Sequence, residues 1–406
     1  MKNYALILSL LLLPIHFAFA AKVESWPLPV KQSAAQPNLT SNAKGELILS
    51  WIERTAKGYR LQIATYRKNN WTAAITVAEG NNWFVNWADF PSTVALADGT
   101  LWAHYLVKSG EGTYAYDVML MYSKDAGKTW SSAIKVNDDG TKTEHGFASL
   151  WPWSTSEVAI AWLDGRKTQG ASGHDHAQSK QDENSDKVMT LRAAVFDTRG
   201  KKLKEWPLDQ RTCDCCQTDA TLTDKGPIVI YRDRDSNEIR DIYTSRFTGN
   251  QWTKGQVIAA DHWLMPACPV NGPAISAHKN NVWAAWYTGA NNTSSIRLAY
   301  SNDSGQQYLA SKPFKQGPHI QGRVDIVGNT NNAWVLWTEE STVQSIWLAN
   351  IDRQLHQVGA PIKISQLTGR GKATGFARMQ MTNEGVFMVW TDVVDGKPVI
   401  KGAIVR

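Results

Sequence analysis

The densest chemistry in this chain is sulfur. Cys213, Cys215 and Cys216 fall within one short run, and Cys268 follows in a later segment that also carries His262 and Met265. Thiolates with an imidazole nearby form a soft donor set suited to copper(I), or to zinc if fewer sulfurs take part. Disulfides are the competing reading, because an even cysteine count in an exported chain ordinarily pairs. A vicinal Cys215–Cys216 bond would be strained, so Cys268 would join one member of the cluster and a second pair would form within it. Charge is densest at Arg232, Asp233, Arg234 and Asp235. On a strand these alternate, placing both arginines on one side, where two guanidiniums can grip a carboxylate or phosphate; an ion-pair ladder is the rival. Arg166, Arg323, Arg378 and His145 complete the candidate ligand-binding set, and Asp89, Asp164, Asp233 and Tyr231 are the candidate catalytic groups. Each acid also reads as a strand terminator that binds turn amides. A further pair of imidazoles, His174 and His176 around Asp175, suits either a borderline metal or a solvated loop.

These residues need elements to position them, and the chain supplies a repeat. It has 406 residues, 19 of them Trp, with 20% charged and 43% hydrophobic. That composition excludes wholesale disorder, and the aromatic load favours strands over a helical bundle. A turn residue, an apolar run and a closing aromatic recur at Trp51, Tyr105, Trp162, Tyr231, Trp286, Trp337 and Trp390, a step of roughly 55 residues. Each unit has room for four short strands. The spacing therefore predicts an all-β propeller of seven four-stranded blades, six being the alternative, with residues 23–30 as the outer strand that completes the last blade. Residues 1–20 read as a cleavable signal peptide, a charged start, a short apolar run and a small-residue site ending at Ala20, which predicts a periplasmic or secreted protein. Residues 21–406 then form a single propeller domain. The formal charge of +6 is spread along the chain without a basic block, which argues against a nucleic-acid partner. No later segment is apolar for long enough to span a bilayer, and a monomer is expected.

Ser123, Asp125, Gly127 and Trp130, and again Ser301, Asp303, Gly305 and Tyr308, follow the pattern S-x-D-x-G-x-x-aromatic between the third and fourth strands of their units. On these two turns and the repeat, the chain resembles the Asp-box propellers of the sialidase superfamily. The runs RTCDCCQTDA, YRDRDSNEIRDI and CPVNGPAI resemble more narrowly a group of bacterial exported proteins labelled sialidase-like. The resemblance implies action on a glycan, with an arginine triad for the substrate carboxylate, a Tyr nucleophile polarised by a Glu, and an acid/base Asp. Two features depart from it. Ala88, Asp89, Phe90 and Pro91 stand where the first triad arginine belongs, and a carboxylate there repels sialic acid; the repeat also counts seven units where sialidases have six.

Propeller geometry sorts the residues onto faces. Loops entering the inner strands carry Asp89, His145, the four cysteines, His262, Arg323 and Arg378. Exits of the second strands carry Asp164, Arg166 and residues 232–235 on the same face. The expected function is an exported, sialidase-like propeller that acts on or binds a glycan or anionic small ligand at this cysteine and arginine face. A non-enzymatic copper or zinc binding propeller and a protein-interaction scaffold are the rival readings.

Overall fold

The computed structural model describes residues 22–31, 33–170, 187–310 and 312–406. Residues 173–176, with the paired histidines, and residues 1–20, with the leader, lie outside the described residues. Among those described, seven antiparallel sheets follow one another along the chain. In blades 1, 4 and 5 the outermost strand is broken in two, as at Asn70–Trp71 and Ile75–Gly80, both paired with Gly58–Arg67. The innermost strands are Ala34–Ser41, Ser92–Ala95, His145–Pro152, Asp219–Thr223, Ala274–His278, Ile320–Gly328 and Arg378–Thr382. They touch in ring order, the last against the first, and so enclose an axial channel.

Second strands read as nearly continuous apolar runs because blades pack on both of their faces. Val158–Asp164 is buried at every position, its terminal acid included. The N-terminal segment closes the ring as the repeat count requires: Val23, Glu24 and Ser25 pair with Val405, Ile404 and Ala403. Its pairing is shorter than the expected 23–30, ending with Trp26 N–H donating to Gly402 C=O at 2.9 Å. Pro27 and Pro29 have no N–H to extend the ladder. Trp26 instead drives into the seam, with ring centroids 4.8 Å from Phe387 and 4.9 Å from Trp71.

Neighbouring blades are tied by acids on or just before alternate inner strands. Asp89 accepts the Phe147 N–H at 2.8 Å, Asp219 the Ile275 N–H at 2.9 Å, and Asp325 the Met379 N–H at 2.8 Å. Bulges in the inner strands of blades 1, 3 and 6 put Gln36, Phe147 and Arg323 in the left-handed region and re-aim their side chains. At the opposite ends of the blades, both S-x-D-x-G turns close as the pattern predicts. Ser123 Oγ donates to Asp125 at 2.8 Å and accepts from Gly127 N–H, and Asp125 accepts from Thr129 N–H at 2.9 Å. Ser301, Asp303 and Gly305 repeat the arrangement. Positive φ at Gly127 and Gly305 is what these turns require of glycine.

Candidate functional site

The three clustered cysteines leave the outer strand of blade 3 and enter the inner strand of blade 4, and Cys268 approaches them from the loop entering blade 5. All four are thiols. Cys213 Sγ lies 3.4 Å from Cys216 Sγ and 3.9 Å from Cys215 Sγ. The sulfurs of Cys213, Cys215 and Cys216 lie within 4.8 Å of one another, and so do an Asp214 oxygen, Cys215 Sγ and Cys268 Sγ. The expected convergence between blades 4 and 5 is therefore present. Cys213, Cys215 and Cys216 belong to one buried apolar cluster, against which Cys268 and Val270 pack. The Arg240 guanidinium donates to Cys213 Sγ at 3.1 Å and reaches Asp214 at 3.4 Å and Glu238 at 2.9 Å. Burial pushes the Cys213 and Cys215 thiols up; at Cys216 hydrogen bonds from Cys213 and Cys215, with the charge of Arg232, outweigh burial and draw it down. His262 does not join the ligand set: its side chain is exposed, and its N–H is taken up by Asp241 at 3.0 Å.

The axial channel forms a cavity of about 670 Å³ to which all seven inner strands contribute. Its charged lining is Asp89, Asp219 and Asp325 against the single arginine Arg378. Asp89 is buried in the wall, where one oxygen holds Phe147 N–H and the other meets the Tyr116 hydroxyl at 2.8 Å. Tyr116 also lies 3.0 Å from a Glu144 oxygen. A phenol has one proton, so two carboxylates cannot both be ionised comfortably against it. Burial accordingly raises Asp89 to about 7, opposed by the hydrogen bond from Tyr116. Burial likewise raises Asp219 to about 6, opposed by the charge of Arg378. Tyr116 itself is fully covered, its ring stacked on Phe84 at 3.9 Å. Close approach is built into the backbone here, since a Cβ on Gly146 would strike the Asp89 carboxylate and come within 2.7 Å of the Tyr116 ring.

Most of the other expected site residues are committed to the scaffold. Arg232 is buried with its guanidinium spent on the carbonyls of Arg240, Asn271 and Tyr287, so it cannot clamp an anion. Arg234 is paired with Glu238 at 2.6 Å. Arg166 binds Asp164 at 2.6 Å and Glu205 at 3.3 Å, while Asp164 also accepts the Trp162 indole N–H at 2.8 Å. His145 is buried against Asp139 at 3.0 Å in the same network. Arg323 donates to Thr374 and to Gly375 C=O, sandwiched against Trp87, and burial lowers it to about 10. Tyr231 donates to Asp209 at 2.6 Å, away from the channel lining, with Asp233 half-buried nearby and raised by burial to about 7. Arg378 pairs loosely with Asp325 at 3.7 Å and lies over the Phe90 ring, its side chain 21% exposed.

Five second strands carry aromatic-x-acid at or near their ends, at Trp51, Trp162, Tyr231, Trp337 and Trp390, and at three of them the indole N–H donates to the acid: Trp51 to Glu53, Trp162 to Asp164 and Trp337 to Glu339. Tyr116, its hydroxyl contact to Glu144, and Arg240 carry no site signature in the sequence. Tyr116 opens a third strand, which gave it no loop signature. Arg240 is the third arginine of YRDRDSNEIRDI, and only the hairpin that pairs Asp233 with Asp241 returns it to the sulfurs.

No protein family and no curated protein matches this chain. Solved structures share its fold. The polysaccharide lyase Uly1 matches at 8% identity over 91% of this chain and 90% of that one, with a TM-score of 0.53. A protein of unknown function from Dyadobacter fermentans matches at 14% identity over 93% and 95% of the two chains, TM-score 0.50. The NanB sialidase of Streptococcus pneumoniae aligns at 9% identity over 94% of each chain, TM-score 0.49. The first two likenesses bear out the propeller fold and nothing finer.

Proposed function

We propose that this chain is an exported, carbohydrate-directed propeller that takes a glycan end into its axial channel, with Asp89 as the proton-transferring group. The observation that carries the reading is the Asp89–Tyr116–Glu144 constellation, in which burial, with the nearby Glu144 carboxylate adding to it, raises a carboxyl on the channel wall to about 7 against the opposing hydrogen bond from Tyr116. Acid/base catalysis at a glycosidic oxygen uses a group of this kind. Tyr116 and Glu144 act as positioning residues, since Tyr116 has no exposed surface. The cavity has the volume of a small-ligand site, and one of the propellers of similar fold is a polysaccharide lyase.

The charge pattern argues for an uncharged sugar over a sialoside. Three carboxyls face one arginine across the channel, and four of the five candidate arginines are held by protein groups. An arginine triad of the sialidase kind is not assembled from them. The test is a binding screen of immobilised neutral and acidic oligosaccharides, followed by pH–rate profiles on any substrate found. The Tyr116 hydroxyl lowers the Asp89 pKa, so Tyr116→Phe moves the profile to higher pH. Exclusive binding of sialylated glycans, or a profile unmoved in Tyr116→Phe, would overturn the reading.

A further inference from the structure

We propose that Cys213, Cys215 and Cys216 bind a copper(I) ion, and that Cys268 is the thiol through which the ion arrives. This inference is independent of the glycan reading and uses none of its residues. Three sulfurs mutually within 4.8 Å, with Cys213–Cys216 at 3.4 Å and Cys213–Cys215 at 3.9 Å, have the dimensions of a metal triangle. A metal–sulfur bond of about 2.3 Å sets sulfur–sulfur separations of about 4.0 Å in a trigonal site. The observed thiols thus need to move by only a few tenths of an ångström.

The choice of metal follows from what surrounds the sulfurs. A structural zinc site requires a closed set of four protein ligands. Here Cys268 groups with Cys215 and Asp214 and not with all three buried sulfurs, so the four thiols do not form one tetrahedron. Asp214 groups with Cys215 and Cys268 and not with the trio of buried sulfurs, and three thiolates with no imidazole or oxygen in their own group suit copper(I), the softest of the common ions. The three buried cysteines belong to an apolar core cluster and not to a hydrated surface. Binding converts three thiols to thiolates and passes their protons to solvent, leaving a complex with two net negative charges. Arg240, 3.1 Å from Cys213, is the cation in place to offset that charge. Cys268 is the half-buried member of the four, whereas the other three are buried. It touches the site through Cys215, which gives an incoming ion a first sulfur at the surface.

The test uses the whole protein, reduced and handled without oxygen, with all four thiols counted first. Copper(I) is supplied as its acetonitrile complex against bicinchoninate as competitor. About one copper per chain should be retained. In the wild-type protein, copper should protect three thiols from alkylation at least tenfold and leave Cys268 reactive. Cys268→Ser should retain the same copper but load it several-fold more slowly, and Cys213→Ser should lose it to the competitor. The alkylation pattern needs no variant, so a misfolded Cys213→Ser does not spare the proposal. Four thiols alkylated equally fast with and without copper would overturn it. So would retention of zinc with all four thiols protected, or a count of fewer than four thiols per chain in the freshly reduced protein.

Discussion

Replacing Asp89 by Asn isolates the electrostatic cost of the constellation. The amide is isosteric: its oxygen can accept from Phe147 N–H, and its NH2 can donate to the Tyr116 hydroxyl, which then donates to Glu144. The titratable group alone is removed. In the folded wild-type protein burial holds Asp89 at about 7, against 3.8 for an ordinary aspartate. Between those values the unfolded chain is ionised while the folded one keeps its proton, so the folded state binds more protons and stability falls as pH rises. The fall begins near the unfolded value and ends once the folded group has ionised. At about 1.4 kcal/mol per pKa unit, this costs the wild type roughly 3 kcal/mol between pH 5 and pH 8. Asp219 and Asp233, raised to about 6 and about 7, act in the same direction, and His104, lowered by burial to about 4, acts in the opposite one. All three are common to both proteins and drop out of the difference. Urea unfolding of the two proteins at pH 5 and pH 8 should therefore show Asp89→Asn gaining on the wild type by up to roughly 3 kcal/mol at the higher pH. A stability difference that is the same at both values, within about 0.5 kcal/mol, would refute the reasoning.

Other parts of the scaffold give separate expectations. Trp26→Ala removes the aromatic that seals the ring closure and should cost about 3 to 5 kcal/mol in chemical denaturation, with the loss of protection against hydrogen exchange concentrated in residues 397–405. Arg232→Lys keeps the charge but cannot satisfy three carbonyls in a plane, so the melting midpoint should drop by the equivalent of about 2 to 4 kcal/mol; unchanged stability would mean that the guanidinium cage is dispensable. Asp303→Ala should lower stability by about 1 kcal/mol through lost turn hydrogen bonds and leave glycan and copper binding at wild-type levels, because that turn lies on the far face.

The ring was legible because its signal is repeated. Each second strand must be buried on both faces, so the apolar run before Trp51 or Trp337 recurs whatever the loops do. The closing strand was legible from a count that left the last blade one strand short, although Pro27 and Pro29 set its length more narrowly than the apolar pattern suggested. The sulfur cluster followed from adjacency of two loops. The arginines did not follow, because partner choice depends on which carbonyls and carboxylates a bulge or hairpin brings within reach. Arg232 looks like an anion clamp in sequence and is a carbonyl-bound pillar in space. Arg323 and Arg378 hold corresponding places in the repeat, yet a bulge places Arg323 with positive φ and turns it into Thr374 and Gly375, leaving Arg378 on the channel. Tyr116 and Glu144 were invisible as a pair for a related reason: one opens a third strand and the other precedes the next inner strand, and nothing in their local sequence says that Asp89 stands between blades to meet them.

The most direct test of the account is turnover by matched proteins. Purified wild type, Asp89→Asn and Asp303→Ala are incubated with a panel of neutral, uronic-acid-containing and sialylated oligosaccharides, and released sugar ends are quantified by chromatography. The account predicts cleavage of a neutral glycan by wild type and Asp303→Ala, with loss of at least 100-fold in folded Asp89→Asn. Cleavage that survives in Asp89→Asn, or wild-type protein that acts on sialosides alone, would contradict it.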